Sequence, residues 1–204
     1  HLLGRSYGFG TVSEQDWDEQ GRLIRSERLI ESSASYGYAD RDIHEITEYE
    51  YNGFGITVKK VEVYQGQRGM TLYSALYFDD VLQKQTFIDK AAYNNNDVIY
   101  DEWYNADGKL AVVTVQKIEK YNGDMVVDQL KYKYDEDGNV SVKHLMMPRG
   151  LRLVKDEDLL VSETRDLLPG ETIPSVDKLY QDYQAKQLNP EEEQEKPEPA
   201  KKKG

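Results

Sequence analysis

The chain has 204 residues, 38 acidic against 26 basic, for a net charge of −12 and a pI near 4.8. This balance opposes nucleic-acid binding, which needs concentrated Lys and Arg to release counterions from phosphate, and it opposes docking on anionic lipid. With a mean hydropathy of −0.78, no apolar run nears the roughly 20 residues that span a bilayer. The absence of cysteine removes disulfides, thiolate nucleophiles and thiolate metal sites together.

Sixteen tyrosines stand against four phenylalanines and two tryptophans. Tyrosine favours strands and half-wet surfaces, so the composition predicts antiparallel sheet with at least one solvated face. The chain starts at His1, which fits either a removed signal peptide or a tag or cut at that point, and the tyrosine-rich β composition favours the former. A periplasmic, cell-surface or secreted location is therefore expected.

Along the chain, an aromatic, Asp or Asn, and a Gly recur before an alternating strand. Trp17-Asp18-Glu19-Gln20-Gly21 precedes RLIRSERLI, and Tyr51-Asn52-Gly53-Phe54-Gly55 precedes ITVKKVEVY. Phe78-Asp79-Asp80-Val81-Leu82 precedes QKQTFI and has lost the glycine. Tyr104-Asn105-Ala106-Asp107-Gly108 precedes KLAVVTVQKI, and Tyr134-Asp135-Glu136-Asp137-Gly138 precedes NVSVKHL. The last positions of these units are spaced 34, 27, 26 and 30 residues apart. So loose a period suits a hairpin meander with variable far loops rather than a strict solenoid.

The physics of each unit is local. Asp or Asn bonds its own backbone to start the turn, and Gly takes the positive φ that closes it. Ile56, Val58, Val61 and Val63, like Leu110, Val112 and Val115, then alternate with one interruption that leaves room for a bulge. Gln65–Gly69, Asn94–Asp97 and Tyr121–Asp124 mark the opposite hairpin ends. About nine or ten strands are expected from residue 7 to residue 147, all antiparallel to their neighbours.

Past Pro148 the pattern changes. Residues 150–172 have no clear period. Ser175 to Gln187 predicts a short helix with Val176, Leu179, Tyr180 and Tyr183 on one face. Residues 189–204, NPEEEQEKPEPAKKKG, lack residues to bury and are expected to be a disordered charged tail. The expected organisation is a β domain over 1–149, an extension with a helix over 150–188, and the tail. The fold class is all-β: an antiparallel meander of long hairpins forming an extended or curled sheet, a sandwich or a half-barrel.

The aromatic-Asp/Asn-x-x-Gly unit resembles the YD (Rhs-type) repeats of bacterial cell-surface and secreted proteins, over roughly residues 16 to 147. The likeness rests mainly on Tyr104–Gly108 and Tyr134–Gly138. It also resembles looser repeats in small β-rich proteins of Bacteroidetes-like bacteria. The resemblance implies a sheet used for encapsulation or surface interaction, and it implies no chemistry. True Rhs units are more uniform, with strands richer in Arg and Thr.

Chemistry-bearing candidates each have a plainer reading. His1 with His44 or His144 has the makings of a copper site, and Asp42 beside His44 those of a general base; solvated histidines account for both. Asp135–Asn139 and Asn105–Gly108 carry oxygen ligands, but the distal Glu of a calcium loop is absent and turn formation explains them. The acidic excess makes any glycosidase pair arbitrary. No cofactor or metal is expected, and enzymatic activity, whether hydrolytic or copper-dependent, is the minor alternative.

The aromatic residues Tyr36, Tyr38, Tyr49, Tyr51, Tyr77, Trp103 and Tyr104 are the candidate binding face, since such rings stack on sugars and peptides. The expected function is a non-catalytic binding or scaffolding module, an accessory subunit of a cell-surface or outer-membrane assembly. A protein partner would meet the sheet edge, the helix at 175–187 or the tail. A glycan or lipid ligand is the alternative.

Overall fold

The computed structural model describes residues 4–8, 11–30, 43–53, 55–65, 70–90, 96–119, 125–146 and 160–188. The predicted tail at 189–204, Tyr36, Tyr38, His1 and Asp42 lie outside these residues. The strands are β1 (Gly4–Gly8), β2 (Thr11–Trp17), β3 (Leu23–Ile30), β4 (Ile43–Asn52), β5 (Gly55–Gln65) and β6 (Met70–Phe78). They continue as β7 (Val81–Lys90), β8 (Asn96–Tyr104), β9 (Leu110–Glu119), β10 (Met125–Tyr134), β11 (Val140–Met146) and β12 (Leu160–Asp166), and one helix, α1 (Val176–Leu188), follows. Every strand lies beside its sequence neighbours in a single open sheet ordered β1 to β12, with all pairs antiparallel.

Three turns share one hydrogen-bond pattern. The backbone N–H of Gly21, Gly108 and Gly138 donates to the carbonyl of Asp18, Asn105 and Asp135, and each glycine has φ between 75° and 86°. The Asp or Asn side chain accepts the N–H four residues on, at Arg22, Lys109 and Asn139. Asp79 and Asp80 make the glycine-free turn with both φ positive, at 47° and 63°. That is the backbone a two-residue hairpin loop demands, and Asp tolerates it better than most side chains.

In this hairpin the residue just before the turn, Phe78, is not the aromatic of the repeating pair. Tyr77 pairs with Leu82 in the place that Tyr51 with Ile56, Tyr104 with Leu110 and Tyr134 with Val140 hold elsewhere. The sequence alignment on Phe78 is therefore one residue off, and Phe78 faces the other side.

Bulges follow the same logic. Ile24, Thr57, Gln83 and Ala111 are skipped in the pairing, each directly after the aliphatic partner of the aromatic. The expected interruptions thus sit nearer the turns than the apolar spacing indicated. Val58 and Val112 consequently face away from Val61 and Val113.

Among the described residues eleven strands lie before residue 147, where nine or ten were expected, and β12 lies beyond it. The N-terminal run is two strands because Gly8 pairs with Thr11, leaving two residues to link them. The stretch without clear period contains β12.

Register defines two faces. One row on the front runs Gln15, Ser26, Thr47, Val61, Ala75, Gln85, Glu102, Val113, Tyr132, Val142 and Arg165, each directly opposite the next. Its centre is buried, from Ala75 to Val142. Two apolar clusters lie on this face. Val63, Leu72, Tyr73, Ala75 and Phe87 pack with Val176 of α1; Val113, Tyr132 and Val142 pack with Leu167 and Ile173. The chain after β12 therefore returns across the front of its own sheet, first as a strap and then as α1.

Neighbouring turns are also knitted together. Arg22 Nη1 donates to the Gly53 carbonyl at 2.5 Å, and Asp79 N–H donates to the Thr57 carbonyl at 3.0 Å. A Cβ at Gly108 would stand 3.1 Å from Val81 Cγ1, whereas one at Gly138 would meet nothing within 4 Å. Gly138→Ala is expected to cost about 1 kcal/mol from its left-handed backbone alone. Gly108→Ala should cost about 2 kcal/mol, because Val81 must also move. Paired urea denaturation curves measure the difference; equal losses would remove the contact between turns.

Candidate functional site

The predicted aromatic residues do not form one surface. Tyr49, Tyr51, Tyr77 and Tyr104 lie on the front and Trp103 on the back, because adjacent strand residues point to opposite sides. The front rings are engaged. Tyr51 O–H donates to the Leu23 carbonyl at 2.6 Å, and the Arg22 guanidinium lies 4.7 Å over its ring. Lys59 Nζ lies 5.0 Å over Tyr77, and Tyr104 O–H donates to Glu102.

Glu102 is the central polar group of the front and the residue that sequence reasoning missed. It is 3 % exposed. Its Oε2 accepts from Tyr104 O–H at 2.6 Å and from Gln85 Nε2; its Oε1 accepts from the Val176 backbone N–H at 3.0 Å. Gln85 is itself buried and accepts from Tyr73 O–H at 3.2 Å. The sheet thus supplies an N-cap for a helix 74 residues later in the chain, satisfying an N–H that the helix cannot satisfy itself. Burial, the leading cause, raises Tyr73 and Tyr104 well above the usual tyrosine range.

Rings fasten the rest of α1. Tyr180 stacks on Tyr73 with centroids 4.2 Å apart and planes 6° from parallel, and Phe87 meets Tyr180 and Tyr183 with ring planes tilted by 49° and 59°. Burial pushes Tyr180 and Tyr183 up to about 12. An open groove of about 420 Å³ runs beside the second half of the helix, lined by Phe87, Asp89, Leu179, Asp182 and Tyr183.

Glu171 holds the strap. Its carboxylate takes both guanidinium nitrogens of Arg165, at 2.7 and 3.0 Å, the Leu168 N–H at 3.0 Å and the Tyr132 hydroxyl at 3.3 Å. Hydrogen bonding from Arg165, the largest cause, brings its pKa down to about 2. A carboxyl group depressed in the folded state stabilises above its unfolded value near 4.5 and loses that stabilisation as pH falls toward 2. Stability should therefore decline between about pH 4.5 and pH 2, and Glu171→Gln should flatten that decline. Urea midpoints of both proteins across this range test it; parallel curves would contradict it.

The back carries exposed rings beside a buried polar row, in which Asp101 is 8 % and Thr114 6 % exposed. Trp103 is 44 % exposed and Phe78 47 %. Lys84, directly opposite Trp103, places Nζ 4.2 Å over its ring and 3.4 Å from Asp101. Thr86 Oγ1 donates to Asp101 at 2.5 Å and Thr114 Oγ1 at 3.5 Å, which fixes the carboxylate beside the tryptophan.

The remaining candidates sit apart. His44 on the back pairs with Glu27, while His144 on the front lies 2.5 Å from Asp128, so the two histidines face opposite sides of the sheet. Asp135 gives Oδ1 to the Asp137 and Asn139 N–H groups and Oδ2 to the Asn139 side chain. Among the described residues no group of three or more His, Asp or Glu is placed to hold a metal ion. Among the described residues no helix is long and apolar enough to cross a membrane. No protein-family model matches the chain, and neither a curated protein nor a solved structure matches it.

Proposed function

We propose that this chain is a non-catalytic binding module that presents the back of its sheet, with Trp103 at the centre of the contact surface. One observation carries the reading. The front is covered by the chain's own residues 167–188, while on the back an exposed indole stands beside a lysine held by a buried carboxylate. Such a surface suits a stacked sugar ring or a peptide side chain, with Lys84 and Asp101 giving direction.

A catalytic role for Glu102 fits poorly, since both its oxygens already accept hydrogen bonds from the chain itself. An apolar ligand on the front would have to displace Val176, Leu179, Tyr180 and Tyr183. The acidic, tyrosine-rich composition suits an accessory subunit of a cell-surface or outer-membrane assembly in a periplasmic, surface or secreted setting.

Screening the full chain on oligosaccharide and peptide arrays, beside Trp103→Ala, tests the reading. Ligands should be lost from the variant without a change in thermal midpoint. Ligands indifferent to Trp103, or turnover of an arrayed compound, would sink it.

A further inference from the structure

We infer that the back of β10 and β11 is a docking site for an extended acidic segment of a partner polypeptide. Lys131, Lys133 and Lys143 are all exposed, all on the back, and Lys131 stands directly opposite Lys143. Among the described residues none of the three forms an ion pair with an acidic side chain. Like charges directly opposite on neighbouring strands destabilise a sheet. This chain has 12 more acidic than basic residues, yet it places three unneutralised lysines together. Lysine also serves to protect free sheet edges, but β10 and β11 are interior strands with β12 beyond them, so edge protection does not account for the cluster.

Spacing selects the partner. Lys131 and Lys133 are alternate residues of one strand, about 6.8 Å apart, and Lys143 lies about 5 Å across from Lys131. Alternate side chains of an extended peptide repeat at the same roughly 6.8 Å, so a Glu-x-Glu segment along β10 sets carboxylates against both lysines, with Lys143 beside the first. A duplex or bilayer is a broad polyanion and would also press on the flanking carboxylates of Asp135, Glu136 and Asp166, all exposed. A single narrow strand avoids them.

The site rests on the reading that the back is the binding side, and it makes a separate measurement possible. A fluorescent ten-residue peptide of alternating Glu and Ser is titrated against the full chain by anisotropy at 50 and 300 mM NaCl. The expected results are saturable binding weakened about tenfold or more by salt, and no binding of a Gln-Ser peptide. Lys131→Gln with Lys143→Gln should weaken binding at least tenfold while leaving the thermal midpoint unchanged or raised, since the like-charged pair is relieved. Trp103→Ala in the same titration separates the two ideas. Peptide binding that needs the lysines but not Trp103 keeps this site while removing Trp103 from it. Equal binding by the double variant, binding of the Gln-Ser peptide, or tighter binding of duplex DNA or phosphatidylserine vesicles would overturn the proposal.

Discussion

Glu102→Ala is expected to lower the stability of the chain by about 3–5 kcal/mol, the cost of breaking a buried, hydrogen-bonded carboxyl site. The truncation orphans two donors, Tyr104 O–H and the Val176 N–H, and leaves Gln85 Nε2 only the Tyr104 hydroxyl oxygen, at 3.0 Å. Each lies in or beside the buried front, where an unpartnered donor costs about 1–3 kcal/mol. Losses on this scale do not stay local, because Val176 is fully buried and starts the helix.

Glu102→Gln should be milder, at about 1–2 kcal/mol. Its carbonyl can still cap Val176, but its amide then meets donors from Gln85 and Tyr104. Urea denaturation gives the ordering Ala worse than Gln worse than native. Amide exchange over 176–188 should quicken in the same order, and an Ala variant with native stability would show that the network does not hold the helix.

Phe87→Ala is expected to cost a further class of energy, packing rather than polarity, again about 3–5 kcal/mol. Phe87 is 3 % exposed and touches Tyr100 on its own sheet and Tyr180 and Tyr183 on α1. Its removal opens the space it leaves to the groove beside the helix, so the rings of α1 lose their packing partner. Because the apolar contacts of α1 are few, the helix should loosen before the sheet does. Circular dichroism with the tyrosine near-ultraviolet signal follows both: the aromatic signal should melt at lower urea than the β signal. Coincident transitions at native urea concentration would contradict this.

Much of the fold was legible because its turns are determined locally. Asp18, Asn105 and Asp135 fold their turns with their own side chains, and Gly21, Gly108 and Gly138 take the positive φ, so a few adjacent residues announce each hairpin. Where that chemistry is missing, reading slips. Asp79-Asp80 reaches the same backbone without glycine, and the alignment there fell on Phe78 instead of Tyr77. β12 escaped because it is the last strand of the sheet and turns Glu163 and Arg165 toward the front; an edge strand need not alternate apolar with polar.

The candidate site was less legible. Trp103 and Tyr104 were grouped as one aromatic face, although a period of two already places them on opposite sides. Glu102 left one signal: a carboxyl group between Tyr100 and Tyr104 at inward positions of a strand. Its meaning depended on Val176, 74 residues away, which no local pattern reveals.

The central claim is that, among the described residues, 167–188 pack on the front of the sheet and none of them covers Trp103 on the back. Hydroxyl-radical footprinting of the full chain tests this on native side chains. Tyr73, Phe87, Tyr132 and Tyr180 should be protected, while Trp103 and Phe78 are oxidised rapidly. Oxidation of Tyr73 and Phe87 as fast as that of Trp103 would contradict the account.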